Sequence, residues 1–480
     1  MKKLLFVCLA LLTLMLAFTA CGGETPTTTE TPTTTQVLVE TKNPGLYDAN
    51  DNLLASWDEL VNTYDMKVDA DYTFNTYDTN KSSPYYVLTN TSALQNGVKL
   101  VLGNVDKIGE YAFYLCESLV SVTIPDGVTS IENDAFSLCD RLESITIPDS
   151  VTWIGNDAFE YCGRLESITI PDSVTSIGSS AFHECTSLKS ITISDSVTTI
   201  GEYAFSLCAS LESVTIPDSV TSIGNKAFSK CSRLTSILVD DNNLNYNSDG
   251  VALYNKDKTI LIQVPGGVTA FVIPDSVTTI GNDAFEYCGR LESITIPDSV
   301  TLIGKGVFSG CGKLKSILVD DNNLNYNSDG VALYNKDKTI LIQVPGCITL
   351  CVIPHSVTSI GDYAFDCCDM LTSVTIGNGV TSIGEGAFSG CDKLTSVAIG
   401  NGVTSIGDYA FTYCGSLASI TIPDSVTSIG NSVFNWCERL TSINFNGTTA
   451  EWDAIEKGSR WNGNVPAKQV VCSDGTVTIE

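Results

Sequence analysis

The chain has 480 residues with 26 basic against 55 acidic side chains, a net charge of −29. Such a surface repels phosphate backbones and anionic bilayers, so nucleic acid and direct membrane adsorption are excluded as partners. With 43% apolar residues there is ample material for a core, and the acidity reads as solubilising surface, not disorder. The N-terminus pairs Lys2 and Lys3 with an apolar run from Leu4 to Phe18, the pattern of a secretory signal over 1–20. Residues 21–36, with Thr/Pro repetition around Pro26 and Pro32, cannot bury anything and read as an extended tether. Residues 37–97 carry no repeat. Within them SWDELVNTY, Ser56 to Tyr64, predicts a short helix capped by Ser56, and the segment reads as an adaptor or N-terminal cap.

From Val98 to Asn446 a repeat takes over. The motif AF-x-x-C places cysteines at 116, 139, 162, 185, 208, 231, 288, 311, 368, 391, 414 and 437, in steps of 23 residues apart from two of 57. Within one unit, Leu142, Ile145 and Ile147 point inward from a strand whose alternate residues Ser144 and Thr146 point out. Pro148 ends that strand and begins a turn. Val151, Ile154, Ala158, Phe159 and Cys162 then return along the other side of the same core. One coil cannot bury these side chains alone, so stacking is obligatory and a single continuous interior is expected. At about 4.8 Å per strand column, including one starting near residue 268, the sheet would run to about 70 Å. The fold class is an α/β-type repeat solenoid: a right-handed coil with a parallel β-sheet on one face, two hairpin-bearing long coils and terminal caps.

The two long steps share the run SILVDDNNLNYNSDGVALYNKDKTILIQVPG at 236–266 and 316–346. VALYN and TILIQV around Lys256-Asp257-Lys258 predict a β-hairpin in place of the ordinary return path. After Phe445 the period stops. TTAEWDAIEKG predicts a short helix, and VVCSDGTVTIE a hairpin turning at Asp474-Gly475, so 447–480 reads as the cap of the last coil.

Two resemblances follow from these residues. Phe18-Thr19-Ala20-Cys21, followed by Gly22-Gly23, resembles the lipobox of bacterial lipoproteins, with Phe18 where leucine is usual. That resemblance implies a lipidated Cys21 and attachment to the outer side of the cytoplasmic membrane, the membrane being engaged through the anchor alone. The unit L-x-x-I-x-I-P-x-S-V-x-x-I-G-x-x-A-F-x-x-C resembles the BspA-like leucine-rich repeats of bacterial surface proteins. Val307 and Val433 depart from the alanine of AF, Ser194 from the proline, and Gly377 and Gly400 likewise. The resemblance implies binding or adhesion to extracellular proteins, glycans or other microbes, with no catalytic residues and no cofactor. A structural spacer displaying 37–97 is the alternative, and an enzyme is the weakest reading.

Several constellations invite chemistry. The twelve-cysteine ladder spreads one thiol per coil, unlike the clustered ligands of a metal site. Neighbouring coils bring equivalent Cα atoms within disulfide range, but the side chains point in parallel, and buried thiols are expected. Cys347, Cys351, Cys367 and Cys368 form a denser group for which a metal, a local disulfide or drift are all open. His183 in AFHEC would need a uniquely placed serine and an oxyanion hole to act in hydrolysis. Elsewhere its slot holds Ser, Glu, Tyr or Asp. NYNSDG at 245–250 loosely resembles a calcium loop, but Lys256 stands where a closing glutamate belongs, and a turn is expected. What remains is the outward ladder, whose candidate ligand-binding residues are Ser144, Thr146, Ser167, Thr169, Ser213, Thr215, Ser293 and Thr295. Either these hydroxyls pair across strands, or they form a long polar binding face that multiplies weak contacts.

Overall fold

The structure, a computed structural model, describes residues 43–48, 51, 53–56, 58 and 97–479. The leader, Cys21, the tether and most of the helix predicted from Ser56 lie outside these residues. Ser56 itself ends the strand Leu53–Ser56.

The coil logic holds residue by residue. Leu142, Val151, Ile154, Ala158, Phe159 and Cys162 are fully buried, with Ile145 and Ile147 nearly so. Phenylalanine rings of successive coils stack parallel, Phe113 on Phe136 at 5.0 Å between centroids and Phe136 on Phe159 at 5.3 Å. Offset stacking of this kind adds about 0.5–1.5 kcal/mol per pair to the burial of the rings.

Parallel strands occupy two sides of each coil. The expected column comprises strands such as Ser144–Thr146, Ser167–Thr169 and Ser190–Thr192. The second column is made of two-residue strands, Ser130–Ile131, Trp153–Ile154, Ser176–Ile177 and their successors. These pair in register, Ile131 with Ile154 and Ile154 with Ile177. Glu132 follows Ile131, but glycine follows Ile154, Ile177 and Ile200 and permits the close approach there: a Cβ on Gly201 would lie 2.4 Å from the Ser179 nitrogen.

The return path of the α/β-type coil contains no helix and consists of consecutive turns. Local bonds, such as Tyr114 N–H to Tyr111 O and Cys116 N–H to Phe113 O, alternate with bonds to the next coil, such as Phe113 N–H to Ala135 O and Leu115 N–H to Ser137 O. Apart from the single helical residue Asp58, the only α-helix among the described residues is Thr449–Ala454, with a capping box between Thr448 and Glu451.

The hairpins are present, each with one strand more than expected. Tyr246–Ser248, Leu253–Asn255 and Ile260–Gln263 form an antiparallel meander, repeated at Tyr326–Ser328, Leu333–Asn335 and Ile340–Gln343. The last strand of each rejoins the two-residue column, Leu261 beside Ile280 and Leu341 beside Ile360.

Two expectations fail here. The long sheet is not continuous, and no strand forms at 268–273. The meander takes over the edge that the next strand needs: Ile237 N–H donates to Val251 O, and Ile237 O accepts from the Ser248 hydroxyl at 2.7 Å. Ile317 is occupied in the same way by Val331 and Ser328.

Nor is the interior single. Because adjacent residues of a strand face opposite sides, Leu253 joins the core of the preceding coils, whereas Ala252 and Tyr254 join the next core. Leu333 and Tyr334 divide the second core from the third in the same manner. Three cores result, separated by two-faced partitions.

The ends are closed by pairing. Gly45–Asp48 lies antiparallel to Val98–Val101, and Lys99 meets Asp51 at 2.7 Å. At the other end Gln469–Val471 adds to Ser442–Phe445 and turns into Thr476–Thr478, as VVCSDGTVTIE predicts. The period does not stop at Phe445, however. Glu456–Lys457 continues the two-residue column, and Phe434 N–H bonds to Trp461 O where earlier coils use an alanine carbonyl. Trp461 therefore stands in the alanine place of one further coil and covers Phe434 edge-on at 6.2 Å.

Candidate binding surface

The eight candidate residues lie on one side. Ser144, Thr146, Ser167, Thr169, Ser213, Thr215, Ser293 and Thr295 are all exposed and alternate with buried Ile145, Ile168, Val214 and Ile294. Parallel registry sets the rungs side by side, Ser213 against Ser236 and Ser293 against Ser316. Among the described residues no hydrogen bond joins one of these hydroxyls to its neighbour, so the cross-strand pairing reading gives way to hydroxyls open to solvent. Beside them run exposed ion pairs between coils, Lys189 to Glu166 and Lys315 to Glu292, both at 2.8 Å. Pairs of this kind contribute at most about 1 kcal/mol each. The polar face is interrupted where long coils intervene: Leu238 and Leu318 take threonine places, and Leu350 and Val352 stand 68% and 74% exposed.

The cysteine ladder is a packing device. Cys139 Sγ donates to Phe113 O at 3.1 Å, Cys162 to Phe136 O at 3.3 Å and Cys185 to Phe159 O at 3.2 Å. Each phenylalanine carbonyl thereby accepts two bonds, one from the cysteine amide of its own coil and one from the thiol of the next. A small apolar residue with a weak donor suits that position. Burial pushes the thiols of Cys139, Cys185 and Cys231 up to about 12, and all twelve are free and buried.

The denser cysteine group is dispersed. Cys351 lies on the strand Leu350–Val352, Cys368 is buried in the ladder, and Cys367 Sγ is 3.5 Å from the Tyr287 hydroxyl. No group of three or more His, Cys, Asp or Glu side chains suited to a metal occurs among the described residues.

His183 is half-buried between the edges of Tyr161 and Tyr203, with centroids at 5.9 and 6.5 Å. Burial lowers its pKa. In NYNSDG the oxygens are consumed internally. Asp249 Oδ1 accepts the Val251 and Ala252 amides at 2.9 and 2.8 Å, and its Oδ2 accepts the Tyr254 hydroxyl at 2.8 Å. The expected turn is what these contacts build.

What sequence reasoning missed lies on the return path. Every ordinary coil holds two residues at positive φ, four apart: Tyr111 and Leu115 (57° and 59°), Asp157 and Tyr161 (54° and 58°), and Tyr409 and Tyr413 (both 57°) are examples. For bulky side chains this region is strained, and the alternating inter-coil bonds impose it. Glycine pairs at 306/310 and 386/390 occupy the same positions and were the available signal. Eight aromatic residues do too: Tyr111, Tyr161, Tyr203, Tyr287, Tyr363, Tyr409, Tyr413 and Trp436.

Between the two positive-φ columns runs a polar row that includes Ser137, Glu160, His183, Ser229 and Glu286. Burial, followed by Asp157, Asp134 and Glu184, raises Glu160 to about 7, and burial followed by Asp157 raises Asp134 to about 6. Lys226 spans to Glu286 at 3.0 Å and Asp283 at 3.4 Å. A cleft of about 190 Å³ opens at the second long coil among Lys305, Phe308, Tyr326, Leu333 and Gln343.

Comparison with known proteins places this architecture. The model of the BspA type leucine rich repeat region (6 copies) matches residues 88–171, 106–235, 152–270, 265–349 and 345–454. Among solved structures, the chain is similar to a leucine rich cell surface protein from Faecalibacterium prausnitzii A2-165, with 29% identity covering 75% of this chain and 94% of that one, at a TM-score of 0.41. It is also similar to a leucine-rich repeat protein from Bacteroides ovatus ATCC 8483, with 30% identity, 75% and 74% coverage and a TM-score of 0.36. The pneumococcal vaccine antigen PcpA is 22% identical, with 79% and 84% coverage and a TM-score of 0.39. No curated protein matches the chain. With the matched segments together running from residue 88 to 454, the chain belongs to the BspA-type leucine-rich-repeat family.

Proposed function

We propose that the protein is a lipid-anchored binding module of the bacterial surface that engages extracellular proteins or glycans through the Ser/Thr face of its repeats. The carrying observation is that the face repeats the same exposed hydroxyl pair, Ser144 with Thr146, Ser167 with Thr169, Ser213 with Thr215 and Ser293 with Thr295, while no partner among the described residues uses these groups. A single hydroxyl contact is weak. Repetition at one coil spacing converts it into affinity for an extended partner, since each further contact forms at high effective concentration. The solenoid is a scaffold type without catalytic chemistry of its own, and the sequence features that suggested an enzyme, His183 above all, are absorbed by packing.

Anchoring rests on Lys2, Lys3, the apolar run to Phe18 and Cys21. A diacylated Cys21 holds two acyl chains, enough for stable membrane residence, and the tether would lift the repeats from the bilayer.

Two experiments test the reading. Cys21→Ser should move the protein from the membrane fraction to the medium, and retention in the membrane would overturn the anchor. The chain from Gly22 onward should bind members of a glycan and matrix-protein array. Thr169→Arg with Thr192→Arg should weaken that binding at least tenfold, and unchanged binding would exclude the hydroxyl face.

A further inference from the structure

The aromatic residues of the solenoid are segregated. The outward positions of the sheet face hold Ser, Thr, Lys99, Asn444 and a few aliphatic residues, whereas the positive-φ columns of the return path hold eight aromatic rings. Tyrosine makes up 18 of 480 residues, yet seven of those eight ring positions are tyrosine, on a backbone conformation that disfavours bulky side chains. Packing claims two of them, the rings of Tyr287 and Tyr363 that lie over Gly310 and Gly386 of the next coil, but not the columns as a whole. Gly306, Gly310, Gly386 and Gly390 fill the same columns in coils whose cores are equally buried. Strain retained where the fold accepts glycine points to a use for the ring.

The rings are most accessible in the last coils of the repeat. Tyr409, Tyr413 and Trp436 are 45%, 55% and 43% exposed. Tyr413 and Trp436 lie in adjacent coils of one column, their planes within 1° of parallel and their centroids 6.3 Å apart. Glycine at 390, the preceding position of that column, puts no side chain beside Tyr413. Polar groups accompany the rings: Thr412 donates to Asn435 O at 3.0 Å, and the Asn464 amide reaches Asn435 Oδ1 at 3.1 Å.

We propose that Tyr409, Tyr413 and Trp436 form a carbohydrate platform on the return side, distinct from the hydroxyl face. Two parallel, half-exposed rings flanked by amides suit the apolar C–H face of a pyranose whose ring substituents are equatorial, with hydroxyls left to the amides. The ligand is neutral. The chain's net charge of −29 opposes uronates and sulfated chains.

Because glycine already occupies these columns, Tyr413→Gly and Trp436→Gly remove the rings without asking the backbone for a new conformation. The experiment titrates cellohexaose and chitohexaose, with polygalacturonate as the anionic control, into the chain from Gly22 onward. Calorimetry and tryptophan emission are read together. Binding of a neutral hexaose that falls at least tenfold in each glycine variant, with unchanged or higher thermal midpoints, is the expected result.

Three results overturn the proposal: no binding of either neutral hexaose at millimolar concentration, binding unaffected by both variants, or preference for polygalacturonate. Sedimentation provides a fourth, since a dimer abolished by Trp436→Gly would assign the rings to a second copy of the chain. Thr169→Arg with Thr192→Arg leaves this platform intact, so failure of the hydroxyl face and failure of the platform are separately visible.

Discussion

Replacing Phe159 with alanine tests whether the coils behave as one body or in sections. Phe159 is fully buried, with the rings of Phe136 and Phe182 both 5.3 Å away. Truncating a buried phenylalanine costs about 3–5 kcal/mol, a range that already includes the lost ring contacts. Collapse around the gap is resisted, because the amides of Phe136 and Phe159 are each held by a 2.8 Å bond to the next coil. The upper half of the range is therefore expected. In an array where each coil touches only its neighbours, the loss stays local, and here the partition at Leu253 and Tyr254 marks its limit. Hydrogen exchange followed by mass spectrometry in low urea reads three groups of peptides, from 98–253, 254–333 and 334–472. Protection in the first group should fall by about three to four orders of magnitude, while the other two change by less than about 0.5 kcal/mol. An equal fall in all three groups, or a loss below about 1 kcal/mol in the first, would refute the sectional reading.

Three further outcomes follow from the same geometry. The ladder thiols, raised by burial from 9.0 to about 12 at Cys139, Cys185 and Cys231, carry about a thousandth of the usual thiolate. Iodoacetamide at pH 8 should leave them unmodified until denaturant is added, and intact mass without reductant showing the ladder fully paired would contradict this. Glu160 rises from 4.5 to about 7 in the folded chain, so the native state binds the extra proton and stability declines as pH increases from about 4.5 to about 7. Glu160→Gln should flatten that part of the urea-midpoint profile, and an unchanged slope would show that the cause lies elsewhere. Asn243 is fully buried, donating to Pro217 O and Val220 O and accepting from the amides of Asn245 and Tyr246 at 2.7–3.0 Å. Asn243→Ala strands these groups and should cost about 2–4 kcal/mol in urea unfolding, whereas a cost below 1 would mean that water replaces the side chain freely.

How much of this was legible depended on whether a side chain or the backbone made the decision. Leu142, Ile145 and Phe159 recur because each coil must bury the same volume, so their period announces the core directly. The hairpin around Lys256 to Lys258 and the helix after Thr448 declared themselves through turn and capping residues. The positive-φ columns did not, because bonds between coils impose that conformation on Tyr, Leu, Asp, Ser and Lys alike, and only the glycine pairs near Val307 and Ala387 leave a trace. The two-residue strands are too short for periodicity to register. The extra coil through Trp461 lost its apolar signature while keeping its backbone bonds. The partition could not be read because it depends on Leu253 and Tyr254 facing different neighbours, and both are ordinary core residues.

The ladders also explain how such a chain can recognise anything specific. Register between coils is carried by groups outside both rows: the buried Cys139 Sγ on Phe113 O and, at exposed bends, Asn133 Oδ1 on the Asn156 amide at 2.8 Å and the Thr152 hydroxyl on Thr129 O at 3.2 Å. With register secured by these bonds, the side chains of the sheet face and of the positive-φ columns are released from that duty, and they have used the release differently. Between its interruptions at the long coils the sheet face repeats one hydroxyl pair, so a partner sliding by one coil within such a run meets the same chemistry, and the run gains strength through length without fixing a position. The positive-φ columns change from coil to coil, through Tyr, Leu, Glu, Lys, Gly, Cys and Trp, so a partner there meets a different set at every step. Discrimination between ligands requires a difference in contacts, and the varied side supplies one at each step, whereas the sheet face does so only at its interruptions.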